Sequence, residues 1–220
     1  MAKEIFSQKH IEIEGIYALE SWITTNEKLL LAYRDKIFNI SITELGQISS
    51  LNTPNQVFVV LKQPSNTPNY NQVKQNLSLY LDGIQDPGNM GTILRIADWF
   101  GIPQVFCSPD CVEVYNPKVI QSTMGAFLRV DTPVTTLSAL RKALPDLVLY
   151  GATMTGENIF EKRVSATGVI VIGNEGQGIS PENLSLVDQQ IRIPQVDGSG
   201  MESLNAGVAT GIICAVFRNV

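Results

Sequence analysis

The chain has 220 residues, 44% apolar and 17% charged, enough for one sizeable core or a small domain beside a larger one, and the balance is neither disordered nor collagenous. No apolar run approaches the roughly 18 residues of a membrane span, and the start MAKEIFSQKH lacks the apolar core of a secretory leader, so the expected compartment is the cytoplasm. The net charge of −5 is uneven: residues 1–76 hold seven Lys/Arg and seven Asp/Glu, whereas 77–220 hold nine and fourteen, which is not the usual footprint of a nucleic-acid binder.

In chain order, IEIEGIYAL reads as a strand, ALESWIT as a helical turn, ITELGQISSL as a helix capped by Ser41 or Thr43, and QVFVVLK as a second strand. Residues 1–62 therefore form a small α/β domain. The stretch 63–76, QPSNTPNYNQVKQN, carries two prolines and four asparagines without a period and reads as a linker. From residue 77 the pattern alternates. LSLYLDGI, QVFC, LVLYGAT, GVIVIG and QIRIP are the predicted strands; NMGTILRIADWFG, PKVIQSTMG, LSALRKAL, SPENLSLV and ESLNAGVATGIICAVF are the predicted helices. Nearly all-apolar strands separated by helices predict an α/β domain whose parallel sheet is covered on both faces. Such sheets bind ligands beyond the carboxyl ends of their strands.

His10 is the single histidine and lies in a polar segment, which weighs against histidine-based acid–base chemistry. Cys107, Cys111 and Cys214 lack a framework spacing. Two of them could ligate a metal, but a structural zinc takes four ligands, so the expectation is buried reduced thiols and no metal.

Three junctions carry chemistry. In VIVIGNEGQG a buried strand empties into a glycine-rich loop, as in a phosphate cradle, yet Glu175 places a carboxylate in it. The order G-x-x-G-x-G at Gly173, Gly176 and Gly178 is not the dinucleotide fingerprint, although Asp197 stands where a ribose-binding acid is expected. Only 47 residues follow Gly173, too few for the remaining βαβ units, and no Gly-Lys-Ser/Thr marks a P-loop. In DPGNMGTILRIADWFG, Asp86-Pro87-Gly88 forms a turn and Asn89 is the expected N-cap of a helix through Phe100. Met90, Ile93, Leu94, Ala97 and Phe100 form its apolar face. Arg95 falls outside that stripe, three residues before Asp98, and a solvated Arg95–Asp98 pair is the plain reading. In IPQVDGSGMESLNAGVATG, a loop with Gly198 and Gly200 leads to Ser203 and Asn205, which open a helix rich in small residues suited to a packed core or a dimer interface. PKVIQSTMGAFLRV adds Ser122, Thr123 and Gly125 near a helix end, with Lys118 and Arg129 as local positive charge.

Taken together, DPGNMGTILRIADWFG, VIGNEGQGIS and IP followed by ESLNAGVATG resemble, in order and spacing, the SpoU family of RNA ribose methyltransferases, over about residues 77–220. The resemblance implies a parallel-sheet α/β fold with a deep C-terminal trefoil knot, S-adenosylmethionine as methyl donor, a homodimer, and methylation of a ribose 2′-hydroxyl in tRNA or rRNA, the two-domain layout favouring rRNA by analogy. A donor of net charge about +1 without phosphate suits a glycine turn that holds a carboxylate. By matching positions, Gly173, Ile193 and Leu204 would line the cofactor pocket, with Thr153, Met154 and Gly176 as neighbours. Asn89, Arg95, Glu175, Ser203 and Asn205 would form the polar catalytic set, Arg95 acting as a phosphate-assisted base or as a positive clamp on the ribose-phosphate. The chain departs from the family at Gln195, where Met is common, and in the eight residues between Pro194 and Ser203. Its N-terminal part resembles a shortened ribosomal-protein-like RNA-binding domain, and Lys118, Arg129, Arg141 and Lys142 form the expected basic patch. The alternative is a catalytically silent RNA-binding or ribosome-assembly factor of the same fold.

Overall fold

The computed structural model describes residues 2–8, 11–64, 66–162 and 164–218. His10 lies outside them. The chain divides into two compact units, Met1–Ser65 and Asn66–Val220.

In the first unit, α1 (Ala2–Ile5) precedes β1 (Ile13–Ala18), α2 (Glu20–Thr25), α3 (Glu27–Leu30), a 3-10 turn (Leu31–Lys36), β2 (Ile37–Asn39), α4 (Ile42–Ile48) and β3 (Val57–Leu61). The sheet order is β2-β1-β3, with β1 parallel to β2 and antiparallel to β3. Alternation along β1 buries Ile16 and Ala18 in a core that also holds Trp22, Leu30 and Leu45. On the opposite face Tyr17 stands level with both Phe38 and Phe58 and stacks on the Phe38 ring, centroids 4.9 Å apart. Ser41 caps α4 through a capping box with Glu44, which selects it over Thr43.

The second unit begins inside the stretch expected to be a linker: Tyr70–Gln75 forms α5, capped by the Asn69 side chain. Next come β4 (Leu77–Asp82), α6 (Pro87–Trp99), β5 (Val105–Cys107), α7 (Pro117–Thr123), a 3-10 turn (Ala126–Leu128) and α8 (Leu137–Ala143). They are followed by β6 (Leu149–Asn158), β7 (Gly168–Gly173), α9 (Pro181–Leu184), β8 (Gln189–Arg192) and α10 (Ala206–Arg218). All strand pairings are parallel, in the order β5-β4-β7-β6-β8. The five strands lie where the apolar runs predict them.

The two central strands, β4 and β7, are buried along almost their whole length because helices cover both faces. Leu77, Leu79, Leu81, Ile170 and Ile172 pack with Met90, Ile93, Leu94 and Ala97 of α6 and Ile213, Cys214 and Phe217 of α10. Tyr80, Val169 and Val171 point the other way, onto Val73 of α5, Leu137 and Leu140 of α8, and Leu144 just beyond it. Each fully buried Leu or Ile contributes about 1.5–3 kcal/mol. β4 and β7 pair from Leu77 opposite Gly168 to Asp82 opposite Gly173, which sets where the loops beyond Asp82 and Gly173 emerge. Among the described residues no helix is long and apolar enough to cross a membrane.

Candidate active site

The site grows from the carboxyl ends of β4 and β7, where Asp82 and Gly173 stand level. Residues Asn174 and Gly178 close a tight hairpin with reciprocal backbone hydrogen bonds of 2.9 Å each. Asn174 Oδ1 accepts from the N–H groups of Gly176 (2.9 Å) and Gln177 (3.2 Å), and its Nδ2 donates to the Gly83 carbonyl (2.7 Å). A Cβ on Gly173 would sit 2.1 Å from the Gly178 carbonyl carbon, and Gly178 has φ +70°. These glycines thus serve close backbone approach and a left-handed turn. Asp82 is buried and accepts from Ser180 N and Asn183 Nδ2, both at 2.7 Å, which ties the segment after the hairpin to the end of β4.

Helix α6 starts earlier than its sequence suggests. The N-cap is Asp86, whose Oδ1 accepts from Asn89 N (2.7 Å), with Pro87 in the first turn. Asn89 is therefore not the cap, and its side chain is released for longer-range work. Its Nδ2 donates to Glu175 Oε1 (2.6 Å), and its Oδ1 accepts from Asn205 Nδ2 (2.8 Å). A carboxylate can only accept, so Glu175 fixes the orientation of the Asn89 amide. Asn205 Oδ1 in turn accepts from Gly207 N (3.0 Å) and Val208 N (3.2 Å), capping α10. One hydrogen-bonded chain thus links three segments that are 86 and 116 residues apart in sequence.

The remaining expected residues stand apart from this chain of bonds. Arg95 is exposed on α6 and makes no hydrogen bond or ion pair among the described residues. The anticipated Arg95–Asp98 pair does not form, because Arg129 takes Asp98. Ser203 is exposed and lies outside α10, whose first residue is Ala206 rather than one near Glu202. Thr153 Oγ1 donates to Gln190 Oε1 (3.3 Å), and Ile193 packs partly buried against the main core. Gly176 is exposed in the hairpin. Met154 and Leu204 are 55% and 49% exposed, which leaves apolar side chains open to a ligand. Thr153 and Met154 belong to a departure from the sheet ladder: Ala152 and Glu157 both stand opposite Ile191, so the residues between them leave the register. A Cβ on Gly156 would lie 2.5 Å from the Ile191 nitrogen, so the chain runs tight against β8 there.

Two of the four expected patch cations are engaged internally. Arg129 pairs with Asp98, and Arg141 pairs with Asp188 while donating to the carbonyls of Pro145, Leu147 and Leu186. The cysteines are free thiols, and among the described residues no group of side chains is arranged to hold a metal. The Cys107 thiol beside it lowers the Cys111 thiol to about 7 despite partial burial, with help from Ser108. Burial pushes Cys214 up to about 12. Asp82, Asp86 and Asn174 were not anticipated as site residues. Asp86-Pro87 carries a legible cap signal, whereas Asp82 and Asn174 act on partners 98 and 91 residues away.

Comparison with known proteins gives this geometry its relatives. An uncharacterized tRNA/rRNA methyltransferase of Synechocystis is 34% identical over 62% of this chain, which spans only 51% of that protein. The Bacillus subtilis 23S rRNA (guanosine(2553)-2′-O)-methyltransferase RlmP is 27% identical over 82% of this chain and 72% of its own length. The fold matches the SpoU methyltransferase AviRb from Streptomyces viridochromogenes, solved with AdoMet, with a TM-score of 0.82 at 21% identity over 98% of this chain and 86% of that one. The model of the SpoU rRNA Methylase family matches residues 76–215, which include β4, β7 and all three segments joined through Asn89, and the chain belongs to that family.

Proposed function

We propose that this chain transfers a methyl group from S-adenosylmethionine to a ribose 2′-hydroxyl of RNA, and of rRNA rather than tRNA. The observation that carries this reading is the Glu175–Asn89–Asn205 chain of hydrogen bonds, which gathers the three family motifs at the ligand-binding edge of the sheet. The named relatives support RNA as substrate, RlmP in particular supports rRNA, and the AdoMet complex of AviRb supports the donor.

The residues present fit such a donor. The hairpin at Asn174–Gly178 offers backbone polar groups, Met154 and Leu204 offer exposed apolar surface, and Ile193 lies at the end of β8. Thr153, Gly173 and Gly176 border the same edge. The bound donor supplies an electrophilic methyl on a sulfonium. Asn89 and Asn205 hold Glu175 and the loops in place, so that binding need not order them. Arg95 offers a planar fork of donors and no acceptor, which favours it as the clamp that neutralises the ribose-phosphate while the hydroxyl proton passes to phosphate or water. Ser203, exposed two residues before Asn205, completes the polar set in this reading.

The finer architecture follows the same reading. A C-terminal trefoil knot belongs to the same reading and rests on the family match over residues 76–215. A homodimer is supported by Trp99, which is 84% exposed on α6, a helix that packs beside α10. RNA recognition is assigned to residues 1–62.

The test is titration with S-adenosylhomocysteine by calorimetry, followed by transfer from tritiated S-adenosylmethionine to unmodified transcripts of 16S and 23S rRNA and to bulk tRNA. Binding near one per chain, with incorporation into rRNA, is expected. A folded protein that binds no S-adenosylhomocysteine overturns the proposal in favour of a silent RNA-binding factor.

A further inference from the structure

Asp98 follows Arg95 by three residues on α6, a spacing at which the two side chains meet across one helical turn. Arg95 is the only cation on that helix. Yet Asp98 is held from another element. Arg129, directly after the 3-10 turn Ala126–Leu128, donates Nε to Asp98 Oδ1 (2.9 Å) and Oδ2 (3.0 Å), and Nη2 to Oδ2 (2.7 Å). Both carboxylate oxygens are therefore occupied by one planar fork, the geometry that makes Arg–carboxylate pairs specific. The side chains are 34% and 29% exposed, so water screens this pair less than an open surface pair. Arg95 remains exposed and without a partner among the described residues.

We propose that Arg129 is a positioning residue for the methyl transfer: it engages Asp98 and so keeps the Arg95 guanidinium available to substrate phosphate. The inference rests on the reading of Arg95 given above. Without Arg129, the Asp98 carboxylate turns to the one cation on its own helix and competes with RNA for it. Arg129 acts through Arg95 and does not itself bind RNA.

The test compares wild type, Arg129→Met, the double variant Arg129→Met/Asp98→Asn, and Arg95→Ala, each checked for folding by circular dichroism. Methyl transfer to the rRNA transcripts is resolved into kcat and KM, and the Arg Nε–H signals are followed by 15N NMR at low temperature. A helical pair of this kind shifts an equilibrium by a small factor. Arg129→Met is expected to raise KM for RNA about two- to fivefold with kcat nearly unchanged, and to make an Arg95 Nε–H signal persist against solvent exchange. Adding Asp98→Asn is expected to return KM to within about twofold of wild type and to abolish that signal. A double variant no better than the single one refutes the proposal; because neutralising Asp98 also relieves an unpaired, part-buried carboxylate, the Arg95 Nε–H signal in Arg129→Met is the readout that a merely structural role would not move, and its absence there refutes the proposal as well. Wild-type kinetics in Arg129→Met also refute it. If Arg95→Ala transfers methyl normally, the functional reading of Arg95 fails instead, and the NMR signal still decides whether Asp98 changes partner.

Discussion

Replacing Asp82 by Asn tests whether one buried carboxylate ties the segment after the β7 hairpin to the end of β4. Asp82 is 6% exposed and accepts two hydrogen bonds of 2.7 Å, from Ser180 N and Asn183 Nδ2. An asparagine keeps one carbonyl oxygen for one of these donors and turns an NH2 group towards the other, so one bond is lost and a donor faces a donor. Hydrogen bonds to a charged group contribute about 1.5–3 kcal/mol each and neutral ones about 1 kcal/mol. The neutral amide recovers part of the cost of burying a charge. The net expectation is a loss of about 2–3 kcal/mol. At about 2–4 °C per kcal/mol for a unit of this size, Tm falls by about 4–12 °C. Differential scanning calorimetry and urea unfolding measure both quantities. An Asn183→Ala variant closes a double-mutant cycle, with the two changes expected to be less than additive. If Asp82→Asn unfolds within about 0.5 kcal/mol of wild type, the carboxylate does not hold that segment and the reasoning is wrong.

Asn89→Asp sets a second carboxylate against Glu175, so one of the two is held protonated and its folded-state pKa lies above the unfolded value. The variant is expected to approach wild-type stability below the unfolded carboxylate range and to lose ground as pH rises through the raised value; a Tm difference that stays flat between pH 4 and pH 8 would count against it. Cys111 should be alkylated by iodoacetamide with a rate midpoint near pH 7, while Cys107 and Cys214 resist, because their thiols are shifted upward; peptide mass mapping across pH reads this, and a midpoint near 9 refutes it. Ser41→Ala removes the capping box of α4 and should lower the stability of the first unit by about 1 kcal/mol, with cofactor affinity unchanged. Chemical denaturation followed through Trp22 checks it, and a shift below about 0.3 kcal/mol would show that the cap is idle.

The sheet was legible because burial on both faces leaves runs such as VIVIG that need no tertiary information to be recognised. Shorter or more polar elements were not. β2 has three residues, too few for a period of two, and α5 depends on an Asn cap inside a stretch whose prolines and asparagines read as loop. The N-cap of α6 is ambiguous in the sequence because Asp86 and Asn89 are both good caps three residues apart, and Pro87 decides between them. The family motifs gave the candidate residues but not their arrangement. The Arg95–Asp98 spacing is a local rule, and a tertiary partner, Arg129, overrides it. The links from Asn89 to Glu175 and Asn205, and from Asp82 to Ser180, join residues far apart in sequence that only the parallel sheet brings level.

The closure of the hairpin after β7 limits which mutations can be informative there. With the Gly178 carbonyl carbon 2.1 Å from where a Gly173 side chain would begin, any substitution at Gly173 first breaks the turn. Loss of activity in such a variant reports on the turn and says nothing about contact with the methyl donor. Gly176, with only the Asn174 side chain nearby at 3.6 Å, carries no such restriction, and Gly176→Ala is the substitution at which a weaker donor affinity can be read as a lost contact.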